Sequence, residues 1–254
     1  METGAGEMRL GGVVDTSTID WYGNVSLVVF FAGCNFRCPY CHNAGLIPMD
    51  SGESLGADYL RMRLEEEKNL LDSIVLSGGE PLLQPEGIRT ACSVAKDAGL
   101  KIMLNTNGSR PKVIEALIND GLIDRIALDV KAPLNPESYS AFLGAEPGNV
   151  PSMVKRSLEI CKERGVEVEA RTTIAPGLSD EPGSVKAIEE DVGGLCDLFV
   201  LQQFDNIGEV LSPDMKSRKP HTRETLVDLA GVASDAGMGN VYIKTRRSGL
   251  ERIR

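Results

Sequence analysis

The sequence predicts an α/β fold built as an open, partial (β/α)6 barrel, on three observations. Short β-branched runs alternate with longer amphipathic segments along nearly the whole chain. Several amphipathic segments stop at a glycine, as at Gly99, Gly121, Gly165 and Gly237, which fits helix C-caps ahead of the next strand. The main β-then-α units number six, fewer than the eight of a closed barrel.

In order, the first strand is Val25–Phe31 (VSLVVFF), a continuous apolar run suited to burial on both faces. Helical spacing follows at Leu55–Leu71, then a strand at Ser73–Ser77 and a helix at Glu86–Ala98. The pattern continues with strand Leu100–Asn105, helix Pro111–Asp120, strand Arg125–Lys131 and helix Pro151–Arg164. Strand Val166–Ile174, helix Glu181–Asp191, strand Asp197–Phe204 and helix Thr222–Ala236 complete it, with a short seventh strand at Asn240–Thr245. Such repeated units imply a parallel sheet with right-handed crossovers. No repeat, linker or low-complexity stretch marks a second domain. Residues 1–254 are therefore read as one domain, with an extension over 1–24 and a basic tail over 245–254 taken as a solvated terminus.

With 254 residues the chain can bury one sizeable core, and 42% hydrophobic with 25% charged residues is ordinary for a globular protein. No apolar run approaches membrane-spanning length and METGAGEMRL has no signal-like apolar stretch, so a cytoplasmic, membrane-free location is expected. A net charge of −10 argues against broad nucleic-acid binding, which needs a basic footprint.

Three of the six cysteines fall within eight residues, Cys34, Cys38 and Cys41 in GCNFRCPYCHN. The C-x3-C-x2-C spacing brings three thiolates into one small volume, on the loop leaving the first strand. A four-iron cluster held by three cysteines keeps one iron open to a ligand that is not protein. Zinc is the rival, through a Cys3His set that includes His42, although zinc sites usually pair two short ligand dyads far apart. A disulfide framework is disfavoured by the low cysteine density. Cys92, Cys161 and Cys196 are isolated and read as small core residues.

Ligands of parallel sheets gather at the C-terminal strand ends, and the polar oddities of this sequence fall there. The second strand ends in Gly78-Gly79-Glu80-Pro81, where two glycines allow close backbone approach. The third ends in Asn105-Thr106-Asn107-Gly108, a turn with amide side chains. Asp129 and Lys131 interrupt an otherwise apolar fourth strand, either as a structural ion pair or as site residues. Arg171 on the fifth strand is placed to grip a carboxylate, with a salt bridge to Glu169 as the ordinary alternative.

The cysteine motif, with Tyr40 ahead of its last cysteine, followed by Gly78-Gly79-Glu80-Pro81, resembles the radical S-adenosylmethionine (SAM) superfamily. The segments LNTNGS, LDVK, ARTTIAPGLSD and LQQFDN extend the likeness to its glycyl-radical-enzyme activases, closest to the anaerobic ribonucleoside-triphosphate reductase activating proteins and next to the pyruvate formate-lyase activating enzymes. That resemblance implies one [4Fe–4S] cluster on Cys34, Cys38 and Cys41, with SAM on the fourth iron. It also implies reductive cleavage of SAM and hydrogen abstraction from a glycine of a partner enzyme, anaerobic ribonucleotide reductase, with flavodoxin or ferredoxin as electron donor. Residues Tyr40, Gly78, Gly79, Glu80, Asn107, Asp129, Lys131 and Arg171 would then line the SAM pocket, Glu80 and its glycines meeting the amino group and Arg171 or Lys131 the carboxylate. Asn105 stands where pyruvate formate-lyase-type activases carry an aspartate that helps hold a monovalent cation, so the cation is left open. The motifs fix the radical initiator and not its target, so RNA, a peptide or a small metabolite stays open as an alternative substrate.

Overall fold

A computed structural model describes residues 6–144 and 146–253. Residues 1–5 of the N-terminal stretch and Arg254 of the basic tail lie outside them. The chain forms two compact units, one drawn from residues up to 36, 45–106 and 112–126, the other from 37–44, 107–111 and 127 onward.

The first unit opens with β1 (Met8–Ser17) and β2 (Ser26–Phe31), which pair antiparallel, and β3 (Glu53–Leu55), which pairs antiparallel with β1. After α1 (Ala57–Glu67) come β4 (Ser73–Gly78), α2 (Pro85–Asp97), β5 (Lys101–Thr106) and α3 (Pro111–Asn119). The strands β2, β4 and β5 are parallel and adjacent, and Leu27, Val29, Ile74, Leu76, Ile102 and Leu104 are fully buried. Both ends of this unit correct the sequence reading. The segment taken as an N-terminal extension holds a ten-residue strand, half-exposed and carrying Gly11 and Gly12, which hid its alternation. The helix expected from Leu55 starts at Ala57, because Leu55 closes β3.

The second unit contains β6 (Arg125–Asp129), α4 (Pro136–Leu143), α5 (Val150–Arg164), β7 (Glu167–Ile174), α6 (Pro182–Val192), β8 (Leu198–Gln203), α7 (Pro213–Ser217), α8 (Arg223–Ala236), β9 (Val241–Thr245) and β10 (Gly249–Arg252). Its strands run in the order β6-β7-β8-β9-β10, with β7, β8 and β9 parallel and β10 antiparallel to β9. The expected fourth strand stops at Asp129, leaving Lys131 on the loop beyond it. The basic tail is not a free terminus: residues 249–252 form β10, pinned by Arg223 on Glu251 at 2.7 Å. Helix α4 lies outside the expected elements; it is only eight residues long, buries Tyr139 and Phe142 and is capped by Asn135.

One device recurs at the N-terminal strand ends. Asp72, Asp124 and Asp197, each placed just before a strand, accept from the backbone N–H of Val25, Ile102 and Val168 at 2.7–2.8 Å. These carboxylates satisfy strand-start donors that no ladder reaches.

Candidate active site

In the first unit the cysteine loop and the glycine pair are one hydrogen-bonded piece. The carbonyls of Phe31 and Gly33 accept from the N–H of Gly79 and Glu80 at 2.9 and 2.7 Å. The N–H groups of Gly33 and Cys34 in turn donate to Leu46 and Ile47 carbonyls at 2.7 and 3.0 Å. Contact this close requires glycine: a Cβ on Gly78, whose φ is +129°, would lie 2.2 Å from the Phe31 oxygen, and one on Gly79 would lie 2.2 Å from that of Gly33. Cys34 is half-buried, and its Sγ accepts from the Phe36 N–H at 3.4 Å.

Glu80 is completely buried. Its carboxyl group accepts from the Leu82 N–H at 3.2 Å and from the Thr106 hydroxyl at 2.8 Å, so it is held still at the strand end. Thr106 escaped the sequence reading although it sits inside the quoted Asn-Thr-Asn-Gly turn; its hydroxyl gave no periodic or charge signal. Asn105 donates to the Ser77 hydroxyl at 3.3 Å.

In the second unit, Cys38 to Cys41 form a tight turn closed by the Cys41 N–H on the Cys38 carbonyl at 2.9 Å. The segment after β8 holds this turn by backbone bonds, Leu211 N–H to the Cys41 carbonyl at 3.0 Å and Ser212 N–H to that of Pro39 at 2.9 Å. Burial pushes the Cys38 thiol up to about 11 against the opposing pull of Lys131. Lys131 meets Asp129 at 2.7 Å and lies 5.6 Å from the Tyr40 ring centre. Burial alone would lower that ammonium, but Asp129, Tyr40 and Cys38 together hold it well above its ordinary value.

Tyr40 is buried with its ring centre 5.7 Å from that of Phe142 on α4, and Tyr139 of the same helix is fully enclosed. Neither tyrosine hydroxyl completes a hydrogen bond with the protein. Arg171 is not free on its strand: its Nε donates to Glu169 at 2.5 Å, both side chains being about nine-tenths buried. Asn107 closes its own turn, its Oδ1 accepting from the Ser109 N–H at 3.0 Å. Among the described residues, no three Cys, His, Asp or Glu side chains stand in a metal-holding arrangement. The two histidines have partners of their own, His42 the Glu209 carbonyl at 3.0 Å and His221 the Asp180 carboxylate at 2.9 Å.

Residues 28–185 match the Radical SAM superfamily. This chain is a member of that superfamily. A radical SAM methyltransferase from Sphaerobacter thermophilus shares its fold, with a TM-score of 0.69 at 16% identity over 91% of this chain and 71% of that one. The fold class is therefore the expected α/β partial barrel of the radical SAM type. Within the superfamily the chain groups with glycyl-radical-enzyme activases. It is 34% identical to a Methanocaldococcus jannaschii protein provisionally named a glycyl-radical enzyme activating enzyme, over 93% of this chain and 95% of that one. It is 26% identical to the pyruvate formate-lyase 1-activating enzyme of Escherichia coli K12, over 90% and 96%.

A radical SAM enzyme of this group uses a [4Fe–4S] cluster and SAM. The donor chemistry of the residues present suits both. Cysteine thiolates are the donors such a cluster takes, and the Phe36 N–H on Cys34 Sγ is the kind of contact that tunes it. Glu80 presents a carboxyl group, the chemistry an ammonium group would need, one residue from the glycine packed on the Cys34 loop. No helix of the described residues is long and apolar enough to cross a membrane.

Proposed function

We propose that this chain activates anaerobic ribonucleoside-triphosphate reductase by installing a glycyl radical on it, acting in the cytoplasm as a single radical SAM domain over 1–254 with electrons from a flavodoxin or ferredoxin. The observation that carries the reading is the joining of Cys34 to Glu80 through the backbone of residues 31–34 and 78–80. It would set a cluster ligand and an ammonium-binding carboxylate at a fixed spacing. In this reading Cys34, Cys38 and Cys41 hold the cluster, Glu80 with Gly78 and Gly79 binds the amino group of SAM, and Lys131 draws its carboxylate. Asp129 keeps Lys131 charged and aimed, while Tyr40 offers a flat apolar face. Arg171 and Asn107 act from behind, Arg171 by neutralising Glu169 and Asn107 by shaping its turn.

When bound, the cluster and SAM supply one-electron cleavage to methionine and a 5′-deoxyadenosyl radical, which takes one hydrogen atom from a glycine Cα and leaves the unpaired electron there. The glycine target is supported by the end-to-end similarity to proteins named as activating enzymes. The absence of further clustered cysteines suits a reaction needing one initiating cleavage per activation. To test it, anaerobically reconstituted protein is incubated with SAM, reductant and purified reductase, and electron paramagnetic resonance is recorded. A glycyl doublet on the reductase is expected. SAM cleavage with no doublet would sink the reading and move the target to RNA, a peptide or a small metabolite.

A further inference from the structure

Gln84 stands four residues after Glu80 and is 92% buried, yet no motif assigns it a task. Its side-chain amide is used almost to capacity. Nε2 donates to the Ala32 carbonyl at 2.8 Å and to the Arg9 carbonyl at 2.9 Å, while Oε1 accepts from the Arg9 N–H at 2.8 Å. Ala32 lies between Phe31 and Gly33, whose carbonyls are taken by Gly79 and Glu80 N–H groups. Three successive carbonyls at the root of the Cys34 loop are thus held by the segment 79–84, two by backbone and the middle one by Gln84. The same amide ties that root to β1 through both polar groups of Arg9, and the Ala32 N–H adds a 2.9 Å bond to the Arg9 carbonyl. Its own backbone is fixed as well, since its carbonyl accepts from the Ile88 N–H at 2.9 Å to begin α2.

Only an amide of this length meets the three demands together. A carboxylate lacks the donors, an ammonium lacks the acceptor, and an apolar side chain would leave buried backbone groups unmatched. We infer that Gln84 is a positioning residue of the reaction: it fixes the spacing between Cys34 and the Glu80 carboxylate, and so sets how SAM meets the cluster. The inference rests on the assignment of cluster and SAM made under the proposed function. It does not depend on which partner receives the radical.

The test uses the reconstituted full chain and the Q84M variant, similar in shape but without hydrogen-bonding groups. Iron and sulfide content, the dissociation constant for SAM, and the resonance of the reduced cluster with and without SAM are measured. Q84M is expected to load iron and sulfide as the wild type does. It should bind SAM about 10- to 100-fold more weakly, the usual cost of losing a supporting shell around such a site, and show a diminished SAM-induced change in the cluster signal. A purely structural role would lower the melting temperature and leave both SAM readouts within twofold of wild type, which would overturn the inference. Should Q84M fail to load a cluster, Q84E, which keeps the shape and the acceptor for Arg9, decides by the same two readouts. Wild-type protein that neither binds SAM nor shifts its signal would overturn the cofactor assignment and this inference together. A missing glycyl doublet with SAM binding intact would overturn only the partner.

Discussion

A carboxylate as deep as that of Glu80 needs groups that favour its charge, and Thr106 and the Leu82 N–H supply them before any ligand arrives. Glu80→Gln keeps Oε1 for Thr106 and the Leu82 N–H, exchanges the other oxygen for an amide nitrogen and removes the carboxylate. Stability should therefore change little, while SAM binding weakens about 10- to 100-fold, the worth of a hydrogen bond to a charged group. Equilibrium binding set beside a melting curve checks it. The cysteines divide by their place in the chain, three on one loop and three apart. Burial pushes Cys92, Cys161 and Cys196 each up to about 12, where a thiol is inert. Alanine at any of these should leave iron content at wild-type level, whereas alanine at Cys34, Cys38 or Cys41 should abolish it. Iron loss in Cys161→Ala would refute the ligand assignment.

At the scale of elements, α4 and β7 show how the site is braced. Tyr139 on α4 is fully enclosed with a hydroxyl that completes no protein hydrogen bond, and burial raises it above its ordinary range. Tyr139→Phe removes a polar atom that earns nothing and should be neutral or slightly stabilising. Tyr139→Ala opens a cavity and should cost about 3–5 kcal/mol in denaturant unfolding. On β7 the Glu169–Arg171 pair is buried on both sides. Arg171→Met strands the Glu169 charge and should cost about 3–5 kcal/mol, most of it recovered in the Glu169→Gln/Arg171→Met double variant. If the double variant were no better than the single one, Arg171 would be serving a ligand and not Glu169.

For the molecule as a whole, 37 acidic against 27 basic side chains give a sequence pI near 4.9. Solubility should pass through a minimum near that pH, as light scattering across pH 4–7 would show, because self-repulsion vanishes there. The strand–helix alternation was readable because buried parallel strands are continuous apolar runs and helices carry glycine stops. Elements at the margins were not: β1 is half-exposed and glycine-bearing, β3 and β10 are short, and α4, at eight residues, is too short for a period to register. The site divided in the same way. Three cysteines in eight residues and Gly-Gly-Glu-Pro announce themselves because ligand chemistry and close backbone approach restrict residue type locally. Thr106, Gln84 and Tyr139 are common residues in ordinary local sequence, and their roles arise from partners 26, 75 and 52 positions away or from burial alone. The sequence by itself determined the fold class and the family, and nominated the thiolate donors. Tertiary structure decided that Arg171 is already paired, that Lys131 is held charged by Asp129, and that an amide binds the cysteine loop to Glu80's segment, since hydrogen bonds between distant backbone groups leave no trace in residue order.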